Sequence, residues 1–231
     1  CYNTYETYTF SSLITQYFWP DSELVNNRTI HLYLLTAIAI FPTFFIKKFS
    51  KFAIPSYIAN LSIIVVQIIM GVFTYGSIQK NGFDPEGKVV LYSGDIVNTI
   101  NTLSYFVFIF NTFPVMCNIG PELSVQKQGE ITNIALASNI ASWAINFIGG
   151  YIAFFYFFGS SNGAVSISRC PNCLLRAVGG FFGLINILIA NLCLNFLNGI
   201  EIVKLFTPRG HTVDIPWVGA LTSAIFGLAN A

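Results

Sequence analysis

Apolar residues along this chain come in long uninterrupted runs, and charged residues gather in the short stretches between them. The runs cover about Ile30–Ile46, Phe52–Ile78, Ile96–Ile119, Thr132–Phe158 and Ala177–Ile200, and a sixth begins near Ile215 and continues to Ala231. A bilayer core about 30 Å thick is crossed by about 20 apolar residues of helix. Only helices and closed barrels satisfy every backbone polar group at that depth. Runs this long and continuous are not the alternating strands of about ten residues that build a barrel. The expected fold class is an all-α polytopic membrane protein, a single membrane domain over residues 1–231 with spans at about 30–46, 52–78, 96–119, 132–158, 177–200 and 215–231.

Composition sharpens this picture. The chain is 54% hydrophobic, 16% aromatic and only 9% charged, against about 25% charged in ordinary globular proteins. A net charge of +1, with no basic stripe beyond Lys47-Lys48-Lys51, excludes a nucleic-acid partner, which needs a basic face to displace phosphate counterions. The chain opens on Cys1 and stops at Ala231 inside an apolar run, so both ends are expected to continue into a longer protein. No basic n-region of a secretory signal precedes the first run.

Orientation follows from Lys and Arg in the short loops. Lys47, Lys48, Lys51, Lys127, Lys204 and Arg209 fall on one side, and Arg28, Lys80, Lys88, Arg169 and Arg176 on the other. The second side also holds the N-glycosylation acceptor Asn27-Arg28-Thr29 and the pair Cys170-Pro171-Asn172-Cys173, both suited to an external, oxidising face. Cys1–Thr29 are therefore expected outside, with a glycan at Asn27 and a disulfide between Cys170 and Cys173. Asn60-Leu61-Ser62 also matches the acceptor pattern, but it lies within a span and is unreadable there.

Charged groups are nearly absent from the runs, which argues against a proton pump or a voltage sensor. Amides take their place. Asn191, Asn195 and Asn198 recur at i, i+4 and i+7, and Asn139, Ser142 and Asn146 repeat that spacing. Such stripes either line a hydrated path or tie helices together at about 0.6 kcal/mol per bond. The third run carries Pro114 between Asn111-Thr112 and Asn118. A proline at depth frees a carbonyl about one turn earlier, giving either a plain kink or the broken helix with which transporters hold ions and carboxylates.

Other chemistries find little support. A thiol oxidoreductase would use Cys170 and Cys173, but Cys1, Cys117 and Cys193 are isolated and supply no second pair. Four zinc ligands do not assemble around His31 or His211, and no hydrolase triad, phosphate loop or dinucleotide fingerprint occurs. A channel would show a repeated pore loop or charge rings. A membrane scaffold, or a remnant that no longer transports, remains the alternative to a transporter.

The third run also carries a family pattern. Phe110, Pro114, Ile119, Glu122 and Leu123 fall at the spacing of the sixth-helix pattern F-x-C-H-P-x-x-x-P-I-x-x-E-L of the amino acid/auxin permease family, with Thr112-Phe113 where that pattern has Cys-His and Asn118 at its second proline. Gly149-Gly150-Tyr151 with Phe158-Gly159 resembles the family's glycine-tyrosine stretch closing the seventh helix, and Phe196–Phe206 is similar to the end of the eighth. The resemblance implies helices four to nine of a leucine-transporter-like inverted-repeat bundle. It implies a secondary transporter, not an enzyme, that moves amino acids by Na⁺ or H⁺ symport, with no cofactor, through the plasma membrane or a vacuolar or lysosomal membrane. The lining expected from it is Asn111, Thr112, Pro114 and Asn118 together with Asn191 and Asn195.

Overall fold

The computed structural model describes residues 2–46, 49–82, 95–97, 99–100, 125–157, 167–168 and 172–206. Among these residues every regular element is helical: α1 (Tyr2–Phe18), α2 (Arg28–Ile40), α3 (Ala53–Asn81), the single turn α4 (Val125–Gln128), α5 (Ile131–Phe157) and α6 (Cys173–Phe206), with 3-10 turns at Glu23–Asn26, Phe41–Phe44 and Phe49–Phe52. Stretches within three of them, Ala53–Lys80, Ile131–Gly149 and Cys173–Leu194, are long and apolar enough to cross a bilayer. The chain is an all-α polytopic membrane protein.

Local sequence explains where these helices start and stop. Asn27 caps α2 by accepting from the backbone N–H of Ile30 at 3.2 Å, and Asn172 caps α6 by accepting from Leu175 at 3.1 Å. Pro55 sits in the first turn of α3, where its missing N–H has no helical partner to lose. Gly82, at φ +81°, ends α3 and donates to the Ile78 carbonyl at 2.9 Å. Pro42 stops α2 early: the first apolar run continues as a 3-10 turn, in which the N–H groups of Phe45 and Ile46 both reach the Pro42 carbonyl.

The chain divides into two compact units, Cys1–Ile69 with Gly163–Ala231, and Met70–Asn162. In the first, α1 packs on α6 where α6 has no side chains. A Cβ on Gly183 would meet the Phe10 ring at 2.6–2.8 Å, and one on Gly180 would meet the Phe10 carbonyl oxygen at 3.1 Å and Leu13 at 3.2 Å. Small residues let helices approach closely in a medium where lipid tails are as apolar as the helices themselves. Phe10 is 4% exposed as a result.

The pairings Phe10 with Gly183 and Leu13 with Gly180 run α1 antiparallel to α6. Asn186 with Ala59 and Phe52 with Phe196 run α3 antiparallel to α6 as well. Helix α1 therefore runs in the direction of α3, beside the middle of the apolar stretch Cys173–Leu194. Within the segment expected outside, Tyr2–Phe18 form helix α1 packed on α6, and Trp19–Asn27 connect it to α2.

A second apolar contact lies at the start of α3. Phe52, 1% exposed, meets Phe196 at a ring-centroid distance of 5.1 Å, with Leu192 beside them and Ile46 and Cys193 against the cluster. Ala59, Ser62, Val66 and Ile69 continue the buried face of α3 at helical spacing.

The second unit holds the end of α3, with Thr74 donating to the Met70 carbonyl at 2.9 Å, and the helix α5. Leu136, Ile140, Trp143, Phe147 and Tyr151 make an exposed apolar stripe along α5. The rings of Trp143, Phe147 and Tyr151 stack at successive centroid distances of 5.1 and 5.6 Å. That stripe suits acyl chains, in which an apolar face needs no cover.

Candidate functional site

The six expected lining residues fall into two groups. Asn111, Thr112, Pro114 and Asn118 lie outside the described residues. Asn191 and Asn195 are on α6, one turn apart, and Asn191 is half-buried. A third amide on the same helix plays a different part. Asn186 donates through Nδ2 to the Ala59 carbonyl oxygen at 3.0 Å and so ties α6 to α3. Five residues of α-helix separate Asn186 from Asn191 by about 140°. The tying amide and the candidate lining amides thus occupy different faces of α6.

Two members of the polar stripe on α5 bond within their own helix. Asn146 donates through Nδ2 to the Ser142 carbonyl at 2.8 Å and to its hydroxyl at 3.3 Å. Both Asn146 contacts are local, so the spacing shared with α6 does not by itself mark a path.

On the side expected to be external, Asn27 and Thr29 are exposed. Capping uses Oδ1 of Asn27, whereas a glycan is joined through Nδ2, so the two roles do not compete. Cys173 is an exposed free thiol at the first position of α6, and Nη2 of Arg176 approaches its Sγ at 3.5 Å. Cys170, its expected disulfide partner, lies outside the described residues.

The structure adds a polar centre that sequence reasoning passed over. His31, 7% exposed, stands one turn into α2 and binds two other elements. Its Nε2 lies 2.7 Å from the Leu24 carbonyl in the 3-10 turn, and its Nδ1 lies 2.5 Å from the Ser11 hydroxyl of α1. A carbonyl only accepts, so Nε2 carries a proton and donates to Leu24, while Nδ1 bonds the Ser11 hydroxyl. The Tyr8 ring meets the imidazole edge-on at 5.8 Å. A titratable residue inside an apolar run was the available signal; what hid it was its partner Ser11, on a segment with no hydropathy to suggest a span.

Among the described residues no three His, Cys, Asp or Glu side chains assemble into a metal-binding group. Among the described residues the buried polar side chains are hydroxyls of α1 and α3 and the His31 imidazole of α2.

With three helices long and apolar enough to cross a bilayer, the described residues define a polytopic helical membrane protein. The family model for transmembrane amino acid transporter proteins matches residues 7–196, and the chain belongs to that family. The match begins inside α1 and takes in the Pro114 segment, Asn191 and Asn195. Membership places the protein among amino acid transporters of the membrane. No curated protein and no solved structure matches the chain.

Proposed function

We propose that the protein works as a secondary active transporter, carrying an amino acid across the plasma membrane or a vacuolar or lysosomal membrane by symport with Na⁺ or H⁺. The family match over residues 7–196 carries this reading. The solute path is formed by Asn111, Thr112, Pro114 and Asn118 of the third apolar run and by Asn191 and Asn195 of α6. Amide oxygens and a carbonyl freed by proline suit a zwitterion and a small cation, because they supply partial charge without the cost of a full charge in lipid. Asn191 stands about 140° around α6 from Asn186, the amide that bonds α3, which supports giving the two amides different roles.

The test is flux of radiolabelled amino acids into proteoliposomes, with an inward Na⁺ gradient, an inward H⁺ gradient, or neither. Accumulation above equilibrium under one gradient is expected. Equal uptake in all three conditions would leave no room for coupling.

A further inference from the structure

We propose that the segment Phe41–Lys51, which joins α2 to α3, is a binding site for the anionic headgroups of membrane phospholipids. The inference needs the bilayer but not transport, so it stands apart from the reading above.

The apolar side of the site continues a surface that already faces lipid. Ile30, Leu34 and Ile38 are exposed on α2, and Phe41 and Phe45 extend their helical spacing into the turn at Pro42. The two rings meet edge to face at 5.3 Å, yet they stay 65% and 71% exposed. The basic side follows at once. Lys47 and Lys48 lie outside the described residues and enter by sequence position alone. Lys51 is exposed in the 3-10 turn Phe49–Phe52, one residue before the buried Phe52.

Two helices place these lysines at a membrane boundary. The crossing stretch of α3 begins at Ala53, and no charge follows Lys51 until Lys80. Helix α6 carries no charge between Arg176 and Glu201. Phe52 touches Phe196 at 5.1 Å, and Glu201 and Lys204 stand only about 7 and 12 Å further along α6. Both uncharged stretches therefore end at the same contact. A lysine at such a level lays its carbon stem on apolar surface and holds its ammonium among the headgroups.

Charge chooses the kind of headgroup. No Asp or Glu occurs between Glu23 and Asp84, so the lysines have no acid in their own stretch, and on α6 Glu201 is offset by Lys204. Attraction to an anionic membrane surface is worth about a fivefold preference per lysine. A zwitterionic headgroup brings no net charge and gains none of it.

The test places a reporter on the site itself. Phe45→Trp, made with Trp19, Trp143 and Trp217 replaced by phenylalanine, is reconstituted as the full chain in phosphatidylcholine bilayer discs, and brominated lipid is added as quencher. Half-maximal quenching is expected at a mole fraction at least about tenfold lower for brominated phosphatidylserine than for brominated phosphatidylcholine. Adding Lys47→Gln, Lys48→Gln and Lys51→Gln should bring the two within about twofold, and Lys51→Gln alone should weaken the preference at least about threefold. Arginine at the same three positions should keep it. Arg28→Gln, Lys80→Gln and Arg176→Gln remove as many charges at the far ends of α2, α3 and α6, and should leave it unchanged. No preference in the reporter protein, or an equal loss in this last variant, overturns the proposal. Loss of the preference on adding inorganic phosphate overturns the lipid assignment in favour of a free-anion site. If the triple glutamine variant fails to reconstitute, Lys51→Gln decides: an unchanged preference there overturns the proposal.

Discussion

The Phe10 ring of α1 occupies the space where a side chain on Gly183 of α6 would begin, at 2.6–2.8 Å from the position of its Cβ. Phe10 is 4% exposed and cannot swing aside into open space. Gly183→Ala should therefore separate α1 from α6 at a cost of about 1–3 kcal/mol, typical of overpacking. A lower unfolding midpoint in detergent is expected, partly restored by adding Phe10→Leu. A midpoint unchanged by Gly183→Ala would show that the two helices do not meet as described.

Phe52→Ala removes the centre of the contact with Leu192 and Phe196. Phenylalanine-to-alanine changes in aqueous cores cost about 3–5 kcal/mol. The lower end, about 3 kcal/mol, is expected here, because lipid penalises exposed apolar surface less than water does. Thermal unfolding in detergent checks the value. Phe41→Ala is the control: Phe41 is 65% exposed and should shift the midpoint little.

The amides of α6 should divide by role. Asn186→Leu gives up one interhelical hydrogen bond, worth about 0.6 kcal/mol, and should leave uptake largely intact. Asn191→Leu, and Pro114→Ala in the third run, should abolish uptake while folded protein still reaches the membrane. Normal transport in both of these variants, measured beside surface-labelled protein, would remove the assignment of the solute path.

Capping and glycosylation at Asn27 can be told apart. Thr29→Ala destroys the acceptor triplet but keeps the Asn27 cap, so an endoglycosidase-sensitive mobility shift should vanish with little loss of stability. Asn27→Ala should lose the shift and also about 1 kcal/mol of helix stability. Native protein made in a glycosylating cell and lacking any shift would place this triplet out of reach of the transferase.

Hydropathy alone located α3, α5 and α6, because a bilayer demands long apolar runs whatever the packing. It also carried the first run past Pro42, where the backbone tightens into a 3-10 turn instead of continuing as helix. Helix α1 escaped notice because threonine, serine, tyrosine and Glu6 dilute its apolar residues. Yet Phe10, Leu13, Ile14 and Tyr17 stand at i, i+3, i+4 and i+7, the period of one helix face. What no pattern in α1 could announce is its partner, since the fit depends on side chains missing from Gly180 and Gly183. For the site, residue type pointed to Asn186 and Asn191 alike, and only the bond to Ala59 separates a tie from a candidate lining group.

The fit of Phe10 against Gly183 also bears on biogenesis. A ribosome adds about 5–20 residues per second, so the seat for α1 is not made until on the order of ten seconds after α1 itself. During that interval a weakly hydrophobic segment has no groove to enter, and it is open to capture by the insertion machinery or by a chaperone. Docking of α1 then waits on the synthesis of α6, and substitutions at Gly180 or Gly183 become defects in the biogenesis of a helix encoded far upstream of them.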